Sequence, residues 1–499
     1  MQVERWDVLE ITVKGPAEGN PFVEQTFEGT YTGKNETITT AGFYDGDGVY
    51  KVRFMPSFEG EYTYKTTGSF PEAETQGSFT VTPATGNNHG PVRVANKYHF
   101  AYEDGVPYYS VGTTCYVWPH QPDEVIQKTL AELDKGYFNK MRFCVFPKHY
   151  IHNFKDPQTF PYEGAPVDAS GLTEENFSYN VGFEGNQWDF TRFNPEHFRR
   201  IERAILALRD RGIEADLIVM HPYDRWGFSV MNREQDDLYW NYVIARFSAY
   251  RNVWWSLANE YDLMRAKKLE DWEHYADLLC KKDPYNHMRS IHNCIPFYDH
   301  TRPWITHCSL QRQDLYRHVE YTTDYRTRYQ KPIVWDEIAY EGNIDMGWGN
   351  ISGQELARRF WEASMRGGYA GHGETFMNPE DILWWSHGGK LHGESPARIR
   401  FLHEILTQTP GLGLKQGPGA FDETVAVPDE MIPVTGYEIH YYGFGRPSFR
   451  DFVKPAGENW RVEVIDTWNM TITDAGVHSG KFRIALPGHE YMAVRLTRV

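Results

Sequence analysis

Val253–Asp262 reads V-W-W-S-L-A-N-E-Y-D, a run of apolar and β-forming residues that stops abruptly at two polar ones, Asn259 and Glu260. A buried strand ending in polar groups is what a (β/α)₈ barrel presents at one rim, where side chains from several strand ends converge. Lys331–Glu341, K-P-I-V-W-D-E-I-A-Y-E, is built the same way, with Glu337 just past a short apolar run. Placed in one barrel, the two stretches would set Glu260 and Glu337 across a single pocket.

At 499 residues the chain has room for such a barrel, about 250 residues, and for appended modules. Its formal charge of −17 argues against a nucleic-acid or anionic-membrane surface and permits a neutral sugar substrate. The 16 Trp and 32 Tyr exceed what a core needs, and flat amphipathic rings suit sugar faces. The 5 cysteines show no C-x-x-C spacing, so neither a zinc site nor a disulfide framework is indicated; three fall in predicted strands, where a thiol packs as a small hydrophobe. The start, M-Q-V-E-R-W-D, lacks the features of a signal peptide, and no apolar run reaches the roughly 18 residues of a membrane span. A soluble cytoplasmic protein is the expectation, or a secreted one if a leader has been trimmed.

Residues 1–86 read as short strands with glycine turns. Trp6–Val13 roughly alternates at period 2, and Thr26–Tyr31, Gly48–Phe54, Glu61–Thr66 and Ser78–Val81 follow, the pattern of an N-terminal β-sandwich. A linker, Pro83–Pro91, leads into residues 92–410, where strand and helix alternate. Strands are predicted at Tyr108–Val117, Lys140–Phe146, Ile213–Met220, from Val253, and at Arg289–His292, Trp304–Cys308, Pro332–Trp335 and Gly368–Gly371. Helices are predicted from the Asn194-Pro195 cap, through Leu238–Ala249, and near 267–282, 312–328 and 353–366. The irregular segment Pro147–Phe193 is long enough to be functional and is expected to wall a cleft. Past Gly411–Gly413, stretches such as Val462–Ile465 and Tyr491–Leu496 return to β, predicting a C-terminal sandwich over 412–499. The expected fold class is α/β, a TIM barrel flanked by two β-sandwich domains.

Two carboxyls at strand ends suit glycoside cleavage, which needs one group to protonate the leaving oxygen and another to stabilise or bond to the anomeric carbon. Glu260, beside Trp254 and Trp255, is the candidate for the acid/base, since partial desolvation raises a carboxyl toward neutrality. Glu337 is the candidate nucleophile, kept ionised by donors. Spacing alone leaves open whether either is an ordinary strand-end glutamate.

The A-N-E end of the fourth strand and the D-E end of the seventh resemble clan A retaining glycoside hydrolases, whose acid/base follows an Asn at strand four and whose nucleophile ends strand seven. More locally, Pro56–Tyr64, Trp188–Pro195, Arg211–Leu217 and Asn259-Glu260 resemble the apiosidase-like group, whose members carry an N-terminal β-sandwich. The resemblance implies that Asn259 bonds the sugar hydroxyl next to the anomeric carbon, that carboxyls of a retaining pair lie roughly 5–5.5 Å apart, and that the substrate is a plant- or microbe-derived oligosaccharide. No cofactor is implied. Clan members often place a Tyr after strand six to bond the nucleophile; here His307, Gln311 and Gln313 stand there instead.

Arg142 lies inside an apolar strand, so a carboxylate partner is expected, either Glu337 or a purely structural one. His292 and Asn293 are candidates for the pocket wall. His221 is a candidate for sugar contact or for the core, and Asp224, Arg225 and Trp226 could line a subsite. Trp384 and Trp385 are the expected stacking platform, one of them packing inward. By strand alternation Asp336 should point away from Glu337, and Glu374 is the rival should the seventh strand be misplaced. His221, His292, His307 and His372 approach one rim, which keeps a metal-dependent hydrolase or isomerase in view, although no H-x-H or H-E-x-x-H spacing supports it. A non-catalytic carbohydrate-binding barrel is the third reading.

Overall fold

The computed structural model describes residues 1–152, 157–167, 185–380, 382–429 and 435–499. Eight strands make one parallel sheet: β1 Val111–Thr114, β2 Lys140–Cys144, β3 Glu214–Met220, β4 Val253–Ala258, β5 Arg289–Ser290, β6 Cys308–Ser309, β7 Ile333–Trp335 and β8 Tyr369–His372. The hydrogen-bonded order runs from β5 back through β1 to β8, β7 and β6, which is chain order wrapped round a cylinder. The seam between β5 and β6 is bridged by Thr306 N–H to Arg289 O (2.9 Å) and Arg289 N–H to Thr306 Oγ1 (2.8 Å). The strands are short because only their inner stretch is laddered; β1, predicted over ten residues, keeps four, and Pro107–Tyr108 pairs elsewhere.

Outside the sheet lie α1 Asp123–Leu133, α2 Pro195–Arg209, α3 Arg233–Phe247, α4 Leu269–Lys282, α5 Thr322–Tyr329, α6 Gly353–Met365 and α7 Ser395–Leu406. In α2 the Asn194 side chain accepts from Glu196 N–H at 3.2 Å, Pro195 fits the first turn, and Phe198, Ile201, Ile205 and Leu208 are buried as one stripe. α3 begins five residues before the predicted Leu238. Asn232 and Gln235 cap it reciprocally, at 3.0 and 2.8 Å, and satisfy two otherwise orphaned N–H groups. The helix expected over 312–328 is a correction: only Val319–Tyr329 is helical, while the Asp314 carboxylate turns the chain by accepting from the N–H groups of Tyr316 and Arg317.

A small antiparallel sheet, Val92–Ala95, His99–Tyr102 and Pro107–Tyr108, lies between the predicted linker and the predicted first strand and takes Tyr108 from the latter. Its Phe100 is fully buried against Trp254, Met288, Val334 and Tyr369, so it closes the barrel at the end where the strands begin. Before it, a five-stranded and a three-stranded sheet share one apolar core, with Tyr31 stacked on Phe54 at 4.4 Å. That unit is tied to the barrel by Arg53, which donates to Glu202 (2.6 Å), and by Arg246, which donates to Glu202 and Asp45 (both 2.8 Å). After α7, a six-stranded and a two-stranded sheet share a core around Trp460, Phe452 and Ile484, and Trp361 of α6 stacks on Tyr441 at 5.2 Å. Among the described residues no helix is long and apolar enough to cross a membrane.

Candidate active site

The ladder of β4 ends at Ala258, and the next two residues turn out of it. Glu260 sits in the left-handed region, φ 49° and ψ 55°, a conformation costing a non-glycine residue on the order of 1–3 kcal/mol. Neighbouring bonds hold it there: Asn259 N–H to Met220 O and Tyr261 N–H to His292 O, both 3.0 Å, and Leu263 N–H to Glu260 O, 2.9 Å. The result is a carboxyl lifted into a cavity of about 340 Å³ at the rim where the strands end. Glu337, two residues past β7, lines the same cavity, with Tyr116, Lys148, Tyr223, Gln311 and Trp385 around them.

The two carboxyls have different company. Glu260 Oε1 accepts from Gln311 Nε2 at 2.7 Å; Oε2 accepts from the Tyr223 hydroxyl and, at 3.4 Å, from Asn259 Nδ2. Glu337 Oε1 accepts from the Tyr116 hydroxyl and lies 3.5 Å from His292 Nε2 and 3.7 Å from Arg142 Nη1. Asn259 joins the two halves, since its Oδ1 takes Arg142 Nη1 at 3.2 Å and faces the Tyr116 hydroxyl at 3.5 Å.

Burial pushes both carboxyls up. For Glu260 the charge of Glu337 adds to that, and Tyr223 and Lys148 offset only part, so its pKa stands above the ordinary carboxylate value. For Glu337 the push is overcome by His292, Arg142 and the Tyr116 hydroxyl, which bring it down to about 2. Desolvation lowers Lys148 to about 8; its ammonium rests over the rings of Tyr116 (3.6 Å) and Tyr223 (4.4 Å).

Below this layer the barrel interior is ionic. Lys140 Nζ donates to Asp216 (2.8 Å) and Asp336 (2.6 Å), and Arg142 Nε lies 3.6 Å from Asp216. Asp336 therefore points into the barrel while Glu337 points to the cavity. Arg142 touches both the ionic layer and Glu337, so neither expected partner excludes the other.

The remaining predicted residues separate. Trp385 lines the cavity; Trp384 packs inward and donates to Thr113 Oγ1 at 2.8 Å. His292 is fully buried behind Glu337, with Nδ1 2.9 Å from Ser309 Oγ, and is not part of the cavity lining. His221 is likewise off the lining, its Nε2 3.3 Å from Phe146 O. Asp224 is buried and accepts from the N–H groups of Trp226, Gly227 and Ser229, closing its own loop rather than lining a subsite, and Trp226 is buried beside Phe228. Glu374 accepts from the N–H groups of His392 and Gly393 ahead of α7. His307 packs edge-on to Trp254 below the site, and His372 meets Thr113 at 2.9 Å. Among the described residues no three His, Cys, Asp or Glu side chains are grouped to hold a metal. Of the segment expected to wall the cleft, residues 153–156 and 168–184 lie outside the described residues.

Tyr116, Lys148 and Tyr223 were not singled out from the sequence. Tyr116 ends T-T-C-Y after β1, a polar group at a strand end like Glu260, and that signal could have found it. Lys148 and Tyr223 sit two or more residues into loops, where strand periodicity has no reach.

Residues 94–389 match the model of the apiosidase-like catalytic domain; residues 2–69 and 429–497 match two domain families of unknown function. A crystal structure from Bacteroides vulgatus, described as a "putative glycoside hydrolase", is similar over 100% of both chains at 34% identity, TM-score 0.91. A family 5 glycoside hydrolase from the same organism is similar in fold, at 15% identity and TM-score 0.62 over 82% of this chain and 93% of that one. No curated protein matches the sequence.

Proposed function

This chain belongs to the apiosidase-like family and is a glycoside hydrolase, and from that premise we propose that it cleaves with retention, Glu260 as acid/base and Glu337 as nucleophile. The observation that carries the reading is the division of the two carboxyls, one pushed above the ordinary carboxylate value and one held down at about 2, in a single cavity. In the first step Glu337 bonds to the anomeric carbon while Glu260 gives its proton to the departing oxygen. In the second, Glu260 takes a proton from water, which attacks the same carbon and returns the electron pair to Glu337. Among the described residues Tyr116, Arg142 and His292 meet Glu337 at Oε1, and we assign Oε2 as the attacking oxygen.

Asn259, buried just behind the cavity lining with Oδ1 on Arg142 and Nδ2 on Glu260, is assigned to the hydroxyl beside the anomeric carbon on the family resemblance. Trp385 and Tyr150, with Trp348, supply an aromatic wall for the sugar rings. The substrate class that fits is an oligosaccharide of plant or microbial origin. The two flanking units, each joining two sheets over one core, we read as β-sandwiches with domain limits near 1–86 and 412–499. The test is a panel of 2,4-dinitrophenyl glycosides, pentofuranosides included, with the first-formed product followed by NMR. Retention of the anomeric configuration is expected, and inversion would overturn the mechanism.

A further inference from the structure

Behind Glu337 runs a chain of contacts whose proton count is fixed by its far end. Asp336 is held ionised: burial opposes this, but Lys140 Nζ at 2.6 Å and Arg142 Nε at 4.0 Å prevail. Its Oδ2 lies 2.5 Å from Ser309 Oγ. A carboxylate only accepts, so the single hydroxyl proton of Ser309 lies between these two oxygens. Ser309 Oγ, 2.9 Å from His292 Nδ1, must then accept from that nitrogen, and Nδ1 carries a proton.

The opposite nitrogen, Nε2, is buried and makes no close hydrogen bond among the described residues; Glu337 Oε1 lies 3.5 Å from it. In a neutral ring already protonated on Nδ1, Nε2 would turn a lone pair toward an ionised carboxylate, an unsatisfied buried contact and a repulsive one. A proton on Nε2 removes both penalties. The charged and titratable groups about the ring are Glu337 and Asp336 beyond β7, Glu260 beyond β4, Arg142 behind Glu337, and His300, whose own charged form the ring opposes.

The geometry points to His292 as a positively charged positioning residue, an imidazolium whose second proton is imposed by Asp336 through Ser309 and which stands against the carboxylate of Glu337. This rests on the nucleophile reading of Glu337 for its catalytic meaning. When the bond between the anomeric carbon and Glu337 breaks in the second step, its electron pair returns to the carboxylate, and the charged ring is already where that negative charge reappears.

Histidine labelled with ¹⁵N in the full-length enzyme, with His292 assigned by difference from His292→Gln, reads the ring directly. At pH 7 both His292 nitrogens of the unmodified enzyme are expected to carry protons. In Glu337→Gln the Nε2 resonance should move to the unprotonated range while Nδ1 stays protonated. In Ser309→Ala, freed from the imposed tautomer, a single proton on Nε2 is expected. A singly protonated ring in the unmodified enzyme, or one unchanged by Glu337→Gln, overturns the proposal; if Ser309→Ala does not fold, the Glu337→Gln comparison decides alone. Turnover surviving in Glu337→Gln would instead sink the nucleophile reading, while the spectra would still report the charge on the ring.

Discussion

Replacing Tyr116 by Phe removes one oxygen atom and nothing else that packs. Tyr116 is buried at the cavity wall and its hydroxyl donates to Glu337 Oε1, so it is a donor to a charged acceptor. Such a bond is worth about 1.5–3 kcal/mol, which at about 1.4 kcal/mol per decade is roughly a 10- to 100-fold effect. The loss should fall on the step that regenerates the carboxylate. In the first step Glu337 gives up its charge, and a missing donor costs little; in the second the charge returns and finds one donor fewer. With a 2,4-dinitrophenyl glycoside from the panel, whose good leaving group makes the second step limiting, kcat should fall about 10- to 100-fold, and KM should fall with it as the glycosyl-enzyme accumulates. The carboxyl of Glu337, now at about 2, should rise in Tyr116→Phe, moving the acid limb of the rate profile upward. A kcat within about twofold of the parent, with an unmoved acid limb, would refute the assignment of that hydroxyl to the nucleophile.

Glu337→Gln should nearly abolish turnover with the far-ultraviolet spectrum and melting profile intact, because the isostere keeps the packing and loses only the attacking charge. Glu260→Ala should cost on the order of 10²–10⁴ on substrates whose leaving group needs a proton, far less on dinitrophenyl substrates, and azide should restore part of the loss; equal losses on both substrate types would contradict the acid role. The last concerns stability. Burial raises Glu214 to about 8 although Trp254 donates to it at 2.9 Å. A carboxyl whose folded pKa lies above its unfolded value of about 4.3 is favoured in its neutral form, so its contribution is present at low pH and drains away as pH rises from there through about 8. Glu214→Gln should therefore flatten the fall in denaturation midpoint over that window, and a parallel curve for the two proteins would show that Glu214 is not its source.

The barrel was legible because its strands are short apolar runs with polar ends, a pattern local enough to survive in one dimension. Three features were not. The sheet of residues 92–108 went unpredicted except for Tyr108, which reads as part of the first strand, since four-residue strands carry too few alternations to register. The loop of 312–318 read as helix, although Asp314 bends it, and Gln311 reaches Glu260 from just before it. Lys140, Asp216 and Asp336 each look like an interruption in a strand; only the parallel register, which sets Arg142 beside Asp216, makes them one ionic layer.

By itself the sequence determined that strand and helix alternate, that β4 and β7 end in glutamates, and that those ends belong to one rim, because a strand's direction and periodicity follow from adjacent residues. Only the tertiary structure decided which carboxyl is pushed up and which is held down. That difference comes from Tyr116, Arg142 and His292 converging on one and Gln311 and Tyr223 on the other, from elements far apart in the chain. Ionisation is set by what surrounds a group once water is gone, and neighbours of that kind exist only after the barrel has closed.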